Sequence, residues 1–189
     1  MNVILASQSP RRRELMGLFS IPFTVKVADV DETMDPAGSP YEQVAQVSRR
    51  KAEAIARSQQ DVVIAADTIV VCNGEILGKP KDEEDAFRML RLLSGGAHQV
   101  MTGMTVLCGD TCVSSTEVTD IYFRPLTDGE IWAYIATKEP MDKAGSYGVQ
   151  GGAALFVERL EGDYFNVVGL PVCKLGKILK EVGVLEDRV

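Results

Sequence analysis

The chain of 189 residues carries 20 Lys and Arg against 27 Asp and Glu, a net charge of −7, with 46% hydrophobic and 25% charged residues. A chain of this size buries roughly 70% of the surface it exposes when unfolded, which excludes disorder and a disulfide-stapled miniprotein and fits a single domain over residues 1–189, or one domain with a lobe. The acidic balance excludes a protein that grips long nucleic acid through a dense field of Lys and Arg, while a small anionic ligand needs only a local basic cluster. No run of about eighteen apolar residues predicts a membrane-spanning helix. Met1-Asn2-Val3-Ile4-Leu5-Ala6 lacks the charged flank and long apolar core of a signal peptide. A cytoplasmic protein without a membrane partner is expected, with Cys72, Cys108, Cys112 and Cys173 all reduced. Cys108-x-x-x-Cys112 and the single histidine, His98, are too few ligands for structural zinc.

In chain order, Val3 to Ala6 reads as a short buried strand, and Pro10 is placed for the first turn of a helix with Leu15, Leu18 and Phe19 on one face. Phe23 to Val27 alternates as a strand, and Asp29 to Gly38 is polar and turn-rich. Ser39-Pro40-Tyr41-Glu42 predicts a capping box opening a helix to about Ser58. Val62 to Cys72 is an apolar strand interrupted only by Asp67 and Thr68, and Asn73-Gly74 predicts a hairpin returning through Glu75 to Leu77. Asp82 to Leu93 reads as a helix with acids in its first turn. Strands are predicted at Val100 to Cys108 and Thr111 to Phe123, followed by a Thr127–Glu130 capping box opening a helix to about Thr137. Glycines crowd Asp142 to Gly152, Ala153 to Val157 and Tyr164 to Val168 read as short strands, and Pro171 begins a last helix ending near Val182. The order is mixed α/β, with hairpins that exclude an all-parallel sheet.

Asp67 is the most informative residue. A carboxylate inside Val62-Val63-Ile64-Ala65-Ala66-Asp67-Thr68-Ile69-Val70-Val71 is costly to bury unless a cation or metal compensates it; the bland alternative ends the strand at Ala66 and leaves Asp67 solvated. Ser7-Gln8-Ser9-Pro10-Arg11-Arg12 sets two hydroxyls and two guanidiniums between a strand and a helix N-terminus, where main-chain N–H groups and the helix dipole favour a phosphate. Read alone, this is as readily a capped surface helix with a basic turn. Lys51 sits late in its helix, where cations are expected in any case. Lys79, in Gly74-Glu75-Ile76-Leu77-Gly78-Lys79-Pro80, follows the hairpin that leaves the Asp67 strand and is expected to return toward that carboxylate, but the spacing is not that of a Walker loop. Asp29, Asp31, Glu32 and Asp35 form an acidic loop able to lend a ligand to a hard cation, though without EF-hand spacing. His98 reads as structural. Carboxylate and metal chemistry assisted by phosphate-binding cations is the enzymatic option that remains.

Six segments, taken together, resemble the Maf family of nucleoside triphosphate pyrophosphatases: Ser7-x-Ser9-Pro10-Arg11-Arg12, Val30-Asp31-Glu32, Ala65-Ala66-Asp67-Thr68, Leu77-Gly78-Lys79-Pro80, Asp142-Lys143-Ala144-Gly145 and Gly162-Asp163-Tyr164-Phe165-Asn166-Val167-Val168-Gly169-Leu170-Pro171. They occur in family order over nearly the whole chain. The resemblance implies a single Maf-like domain with an elongated mixed sheet flanked by helices, two lobes and a central cleft, similar to the inosine triphosphatase fold. It implies hydrolysis of a nucleoside triphosphate to the monophosphate and pyrophosphate with Mg²⁺ or Mn²⁺. Asp67 matches the family's proton acceptor, Glu32 and Asp67 would hold the metal, and Ser7, Arg11, Arg12, Lys51 and Lys79 would bind the triphosphate. Arg11, Thr68 and Gln150 match the specificity positions of the branch acting on dTTP and UTP. A homodimer is implied as well. Two other readings carry over from the family and its related fold: a nucleotide-binding regulator of septum formation, and a house-cleaning pyrophosphatase with a different base preference.

Overall fold

The computed structural model describes residues 1–27, 29–55 and 57–186. Its elements are β1 (Val3–Leu5), α1 (Pro10–Gly17), β2 (Phe23–Val25), α2 (Pro40–Glu53), β3 (Val62–Cys72), β4 (Glu75–Leu77), α3 (Glu83–Leu93), β5 (Ala97–Cys108), β6 (Thr111–Phe123), α4 (Asp128–Ala136), β7 (Val157–Glu161), α5 (Tyr164–Val168) and α6 (Val172–Glu181), with 3₁₀ turns at Glu139–Asp142, Ala144–Ser146 and Gly152–Leu155. The seven strands form one mixed sheet in the order β2-β1-β3-β5-β6-β7, with β4 pairing β3 off this path. β1 runs parallel to β2 and β3, whereas β4 on β3 and β7 on β6 are antiparallel. The expected α/β class with a mixed sheet is therefore the fold. Among the described residues no helix is long and apolar enough to cross a membrane, and all four cysteines are free thiols.

Contacts divide the chain into two compact units, one comprising Met1–Asp67, Thr102–Glu117 and Gly169–Val189, the other Thr68–Met101 and Val118–Val168. Each has its own apolar core. In the first, Ile4 and Ala6 of the β1 segment, Val63 and Ala65 of β3, and Leu107 of β5 meet Ala52 and Ile55 at the end of α2. Gly103 permits the approach of α2 here, since a Cβ at this position would overlap the Val44 carbonyl. In the second, Met89, Leu90 and Leu93 of α3 pack with Ile131, Tyr134 and Ile135 of α4, Phe123 and Phe156. The β3–β4 hairpin turns at Asn73 and Gly74, both at positive φ (51° and 82°), the pairing that a two-residue primed turn demands.

Four local expectations are corrected. Ser39 makes no side-chain cap; Gln43 fastens the start of α2 instead, its amide bonding the main-chain N–H and carbonyl of Asp35. The helix ends at Glu53 rather than near Ser58, because Asp61 accepts from the Ser58 N–H (2.9 Å) and the Asn2 amide (2.9 Å) and shapes a turn into β3; residue 56, within the expected helix, lies outside the described residues. Tyr164 to Val168 is helical, not extended, since Asp163 caps it by accepting from Phe165 N (2.7 Å) and Asn166 N (3.3 Å). Ala153 falls in a 3₁₀ turn and the strand begins only at Val157. The Thr127–Glu130 capping box forms as expected.

Candidate active site

β3 does not stop at Ala66. It runs through Asp67 to Cys72, and Asp67 is 9% exposed. The cation that compensates it is Lys51, not the Lys79 expected to return toward it: the Lys51 ammonium donates to Asp67 Oδ1 at 2.7 Å and lies 2.9 Å from Glu32 Oε1, while Lys79 is exposed. Lys51 is in the last turn of α2, so a position that favours a cation for the helix dipole also delivers it to the strand. Removing either partner of such a pair strands a charge in a poorly solvated place. The acidic loop is tied to the same helix: Asp31 accepts from Thr33 N (2.9 Å), and Arg50 donates to the Thr33 carbonyl (3.4 Å). Glu32 itself stays exposed, with 59% of its side chain accessible.

Arg12, in the first turn of α1, donates through Nε to the Gly169 carbonyl (2.7 Å) and through a terminal nitrogen to Ser7 Oγ (3.3 Å). Burial, the largest influence, pulls its pKa down, while the charges of Asp67 and Glu32 pull it up and that of Arg11 lowers it further. A guanidinium remains charged at neutral pH under any such shift. Ser9 is spent as the N-cap, accepting from Arg12 N. Buried Ser7 differs: Oγ is the acceptor in both its bonds, to Ser9 N (3.2 Å) and Arg12, which leaves its proton to donate to an anion.

Ser7, Arg11, Arg12, Glu32, Lys51 and Asp67 thus belong to the first unit, and Thr68, Lys79 and Gln150 to the second. Within the second, the Gly145 N–H donates to the Gly78 carbonyl (3.1 Å), tying the segments that carry Lys79 and Gln150. Lys79 and Gln150 are exposed and Thr68 is half-buried. His98 is structural, as expected: Nε2 lies 2.7 Å from the Tyr147 hydroxyl, its ring meets Phe123 edge-on, and burial lowers its pKa to about 4. Sequence reasoning missed the Gly169 carbonyl that orients Arg12. Gly169 lies in a recognised motif, but a main-chain acceptor has no side-chain signature.

A family model described as Maf-like protein matches residues 2–182. A dTTP/UTP pyrophosphatase from Bacillus cereus (strain AH187) is 48% identical over 183 residues, covering 96% of each chain, and another from Bacillus thuringiensis subsp. konkukian (strain 97-27) is 46% identical over the same shares. Among solved structures, a HAM1 protein from Coxiella burnetii aligns over 96% of this chain and 99% of that one with a TM-score of 0.50 at 12% identity, a likeness of fold alone.

Proposed function

The chain belongs to the Maf-like protein family, and on that premise we propose that it is a nucleoside triphosphate pyrophosphatase that cleaves dTTP and UTP to the monophosphate and pyrophosphate. The relatives named for this activity support the substrate class. The observation that carries the chemistry is the convergence of Asp67 and Glu32 on one cation, 2.7 and 2.9 Å from the Lys51 ammonium.

The same arrangement tests the fit of a metal. Two carboxylates that already share a cation are a suitable donor set for Mg²⁺ or Mn²⁺. Among the described residues no group of three or more His, Cys, Asp or Glu could hold a metal; Asp67 and Glu32 are the residues that would hold it. When bound, the metal would neutralise phosphate charge and acidify water. Asp67 would take the proton of the water that attacks the α-phosphorus; as that P–O bond forms, the bond from the α-phosphorus to the α–β bridging oxygen breaks and pyrophosphate leaves with the electron pair. Ser7, Arg11, Arg12, Lys51 and Lys79 would bind the triphosphate and stabilise the charge that gathers on the leaving group. Arg11, Thr68 and Gln150 would select the base, the Gln150 amide both donating to and accepting from a pyrimidine edge.

The test is pyrophosphate release from dTTP, UTP, CTP, GTP, ATP and 7-methyl-GTP with Mg²⁺ or Mn²⁺, for wild type and Asp67→Asn. Selective turnover of dTTP and UTP, reduced at least about a hundredfold in the variant, is the expected result. Near-wild-type turnover by Asp67→Asn sinks the assignment of Asp67, and a purine preference overturns the roles of Thr68 and Gln150 while keeping the reaction.

A further inference from the structure

Gln150 is exposed in an arch, Gly148 to Gly152, that follows the 3₁₀ turn at Ala144–Ser146 and leads into the one that begins at Gly152. Both feet of this arch stand on one pair of side chains. The Gly148 N–H donates to the Tyr134 hydroxyl oxygen (3.2 Å) and the Gly152 N–H to Glu139 Oε2 (3.1 Å), while the Tyr134 hydroxyl donates to Glu139 Oε1 (2.8 Å) and so joins the feet. The arch is closed by a bond from Gly151 N to the Gly148 carbonyl (3.1 Å).

The pair is itself held. Tyr134 is buried in α4 with its ring edge-on to Phe156, and burial pushes its phenol up, so it keeps the proton it gives to Glu139. Glu139 N donates to Thr137 Oγ1 (3.2 Å), and the Glu139 carbonyl accepts from Lys143 (2.7 Å). The fit leaves no room: a Cβ at Gly151 would overlap the Glu139 carboxylate, and one at Gly148 would come within 2.7 Å of Lys143 Cε.

We propose that Tyr134 and Glu139 are positioning residues that fix Gln150 for base selection without touching the nucleotide, an inference that rests on the pyrimidine-selective reading given above. What is held is the backbone on either side of Gln150: on a mobile backbone the amide would offer its donor and acceptor from many places, and on a fixed one it offers them from one. Neither residue faces the phosphates in this account, so their loss should change which base is preferred more than how fast the bond is cut.

The experiment is a double-mutant cycle on the ratio of kcat/KM for dTTP to that for GTP, using wild type, Tyr134→Phe, Gln150→Ala and the double variant. The expected result is an about tenfold fall in the ratio for Tyr134→Phe, on the scale of one or two hydrogen bonds, carried by KM for dTTP with kcat nearly unchanged. Tyr134→Phe should add nothing once Gln150 is Ala. Glu139→Gln, which keeps the shape and one acceptor oxygen, should lower the ratio less and speed amide hydrogen exchange at Gly152. This second readout stands whether or not Tyr134→Phe folds well. An unchanged ratio in both Tyr134→Phe and Glu139→Gln overturns the inference, as does a full additive loss in the Gln150→Ala background. A wild type without pyrimidine preference overturns instead the reading on which it rests.

Discussion

The charged cluster of the first unit and the arch of the second present their proposed ligand-facing groups in opposite ways. In the first, charge answers charge: Arg12 projects from the first turn of α1, Lys51 from the last turn of α2 and Asp67 from mid-β3, and the ammonium sits between two carboxylates. In the second, a neutral amide, Gln150, rides on a glycine-rich arch held by main-chain N–H groups donating to Tyr134 and Glu139. Arg12, Lys51 and Asp67, seated on helix termini and a strand, are placed by the fold and in the proposed mechanism would act on the phosphate chain that every nucleotide shares. An amide held by a local scaffold can be tuned to one base without disturbing the charges. The contrast makes a sharp division of effects: lesions at Arg12, Lys51 or Asp67 should slow all triphosphates alike, and lesions in the arch should change the choice among them.

The largest effect should come from Arg12→Ala. It removes a guanidinium fixed by the Gly169 carbonyl and Ser7, and loss of one preorganised group facing developing charge costs about 10² to 10³ in rate. Steady-state assays should find kcat/KM down about a hundredfold for dTTP, UTP and GTP together, with their ratios intact; a fall confined to dTTP would move Arg12 to the base-selecting side and erase the division. Gly151→Ala comes next. The new methyl would meet the Glu139 carboxylate. Overpacking of this kind costs about 1–3 kcal/mol. The dTTP-to-GTP ratio should fall about tenfold, with kcat for dTTP within about twofold of wild type.

How legible each region was follows from the same contrast. Asp67 announced itself because a carboxylate breaks an eleven-residue apolar strand, and the demand for a compensating cation was readable, although which cation was not: Lys51 stands 16 positions away and its own signal was that of an ordinary helix end. Strand pairing at Asn73-Gly74 and the Thr127–Glu130 box were legible because turn and cap chemistry is local. Ser39-Pro40-Tyr41-Glu42 carried the same local signature yet lost to Gln43, whose bond to Asp35 depends on where the preceding loop lies. Tyr164 to Val168 looked extended from its aromatic and β-branched residues, and Asp163 outweighed them by capping. The arch had no periodicity to read. Its glycines were visible as a crowd from Asp142 to Gly152, but Tyr134 and Glu139 each have ordinary sequence contexts, and only their convergence on Gly148 and Gly152 suggests a role.

The smallest effect concerns the anchor just before the arch. Tyr147 is joined to buried His98 at 2.7 Å, with Phe123 packed edge-on against both rings. Burial lowers the His98 pKa from 6.5 to about 4, so the folded chain keeps this imidazole neutral over a range in which the unfolded chain takes up a proton. Stability is therefore full above the unfolded value and declines as pH falls from 6.5 toward 4. Between pH 7 and 5.5 the linkage amounts to about 1 kcal/mol. Asp61 and Glu130, both held to about 2 by hydrogen bonds, work in a separate window, since their contributions fade only below the unfolded values of 3.8 and 4.5. Urea unfolding at pH 7 and 5.5 should show the loss in wild type and a flatter response in His98→Gln, which can still bond Tyr147. An equal decline in the variant would assign the pH response to groups outside this aromatic cluster and leave the arch anchored by Tyr134 and Glu139 without a titrating partner.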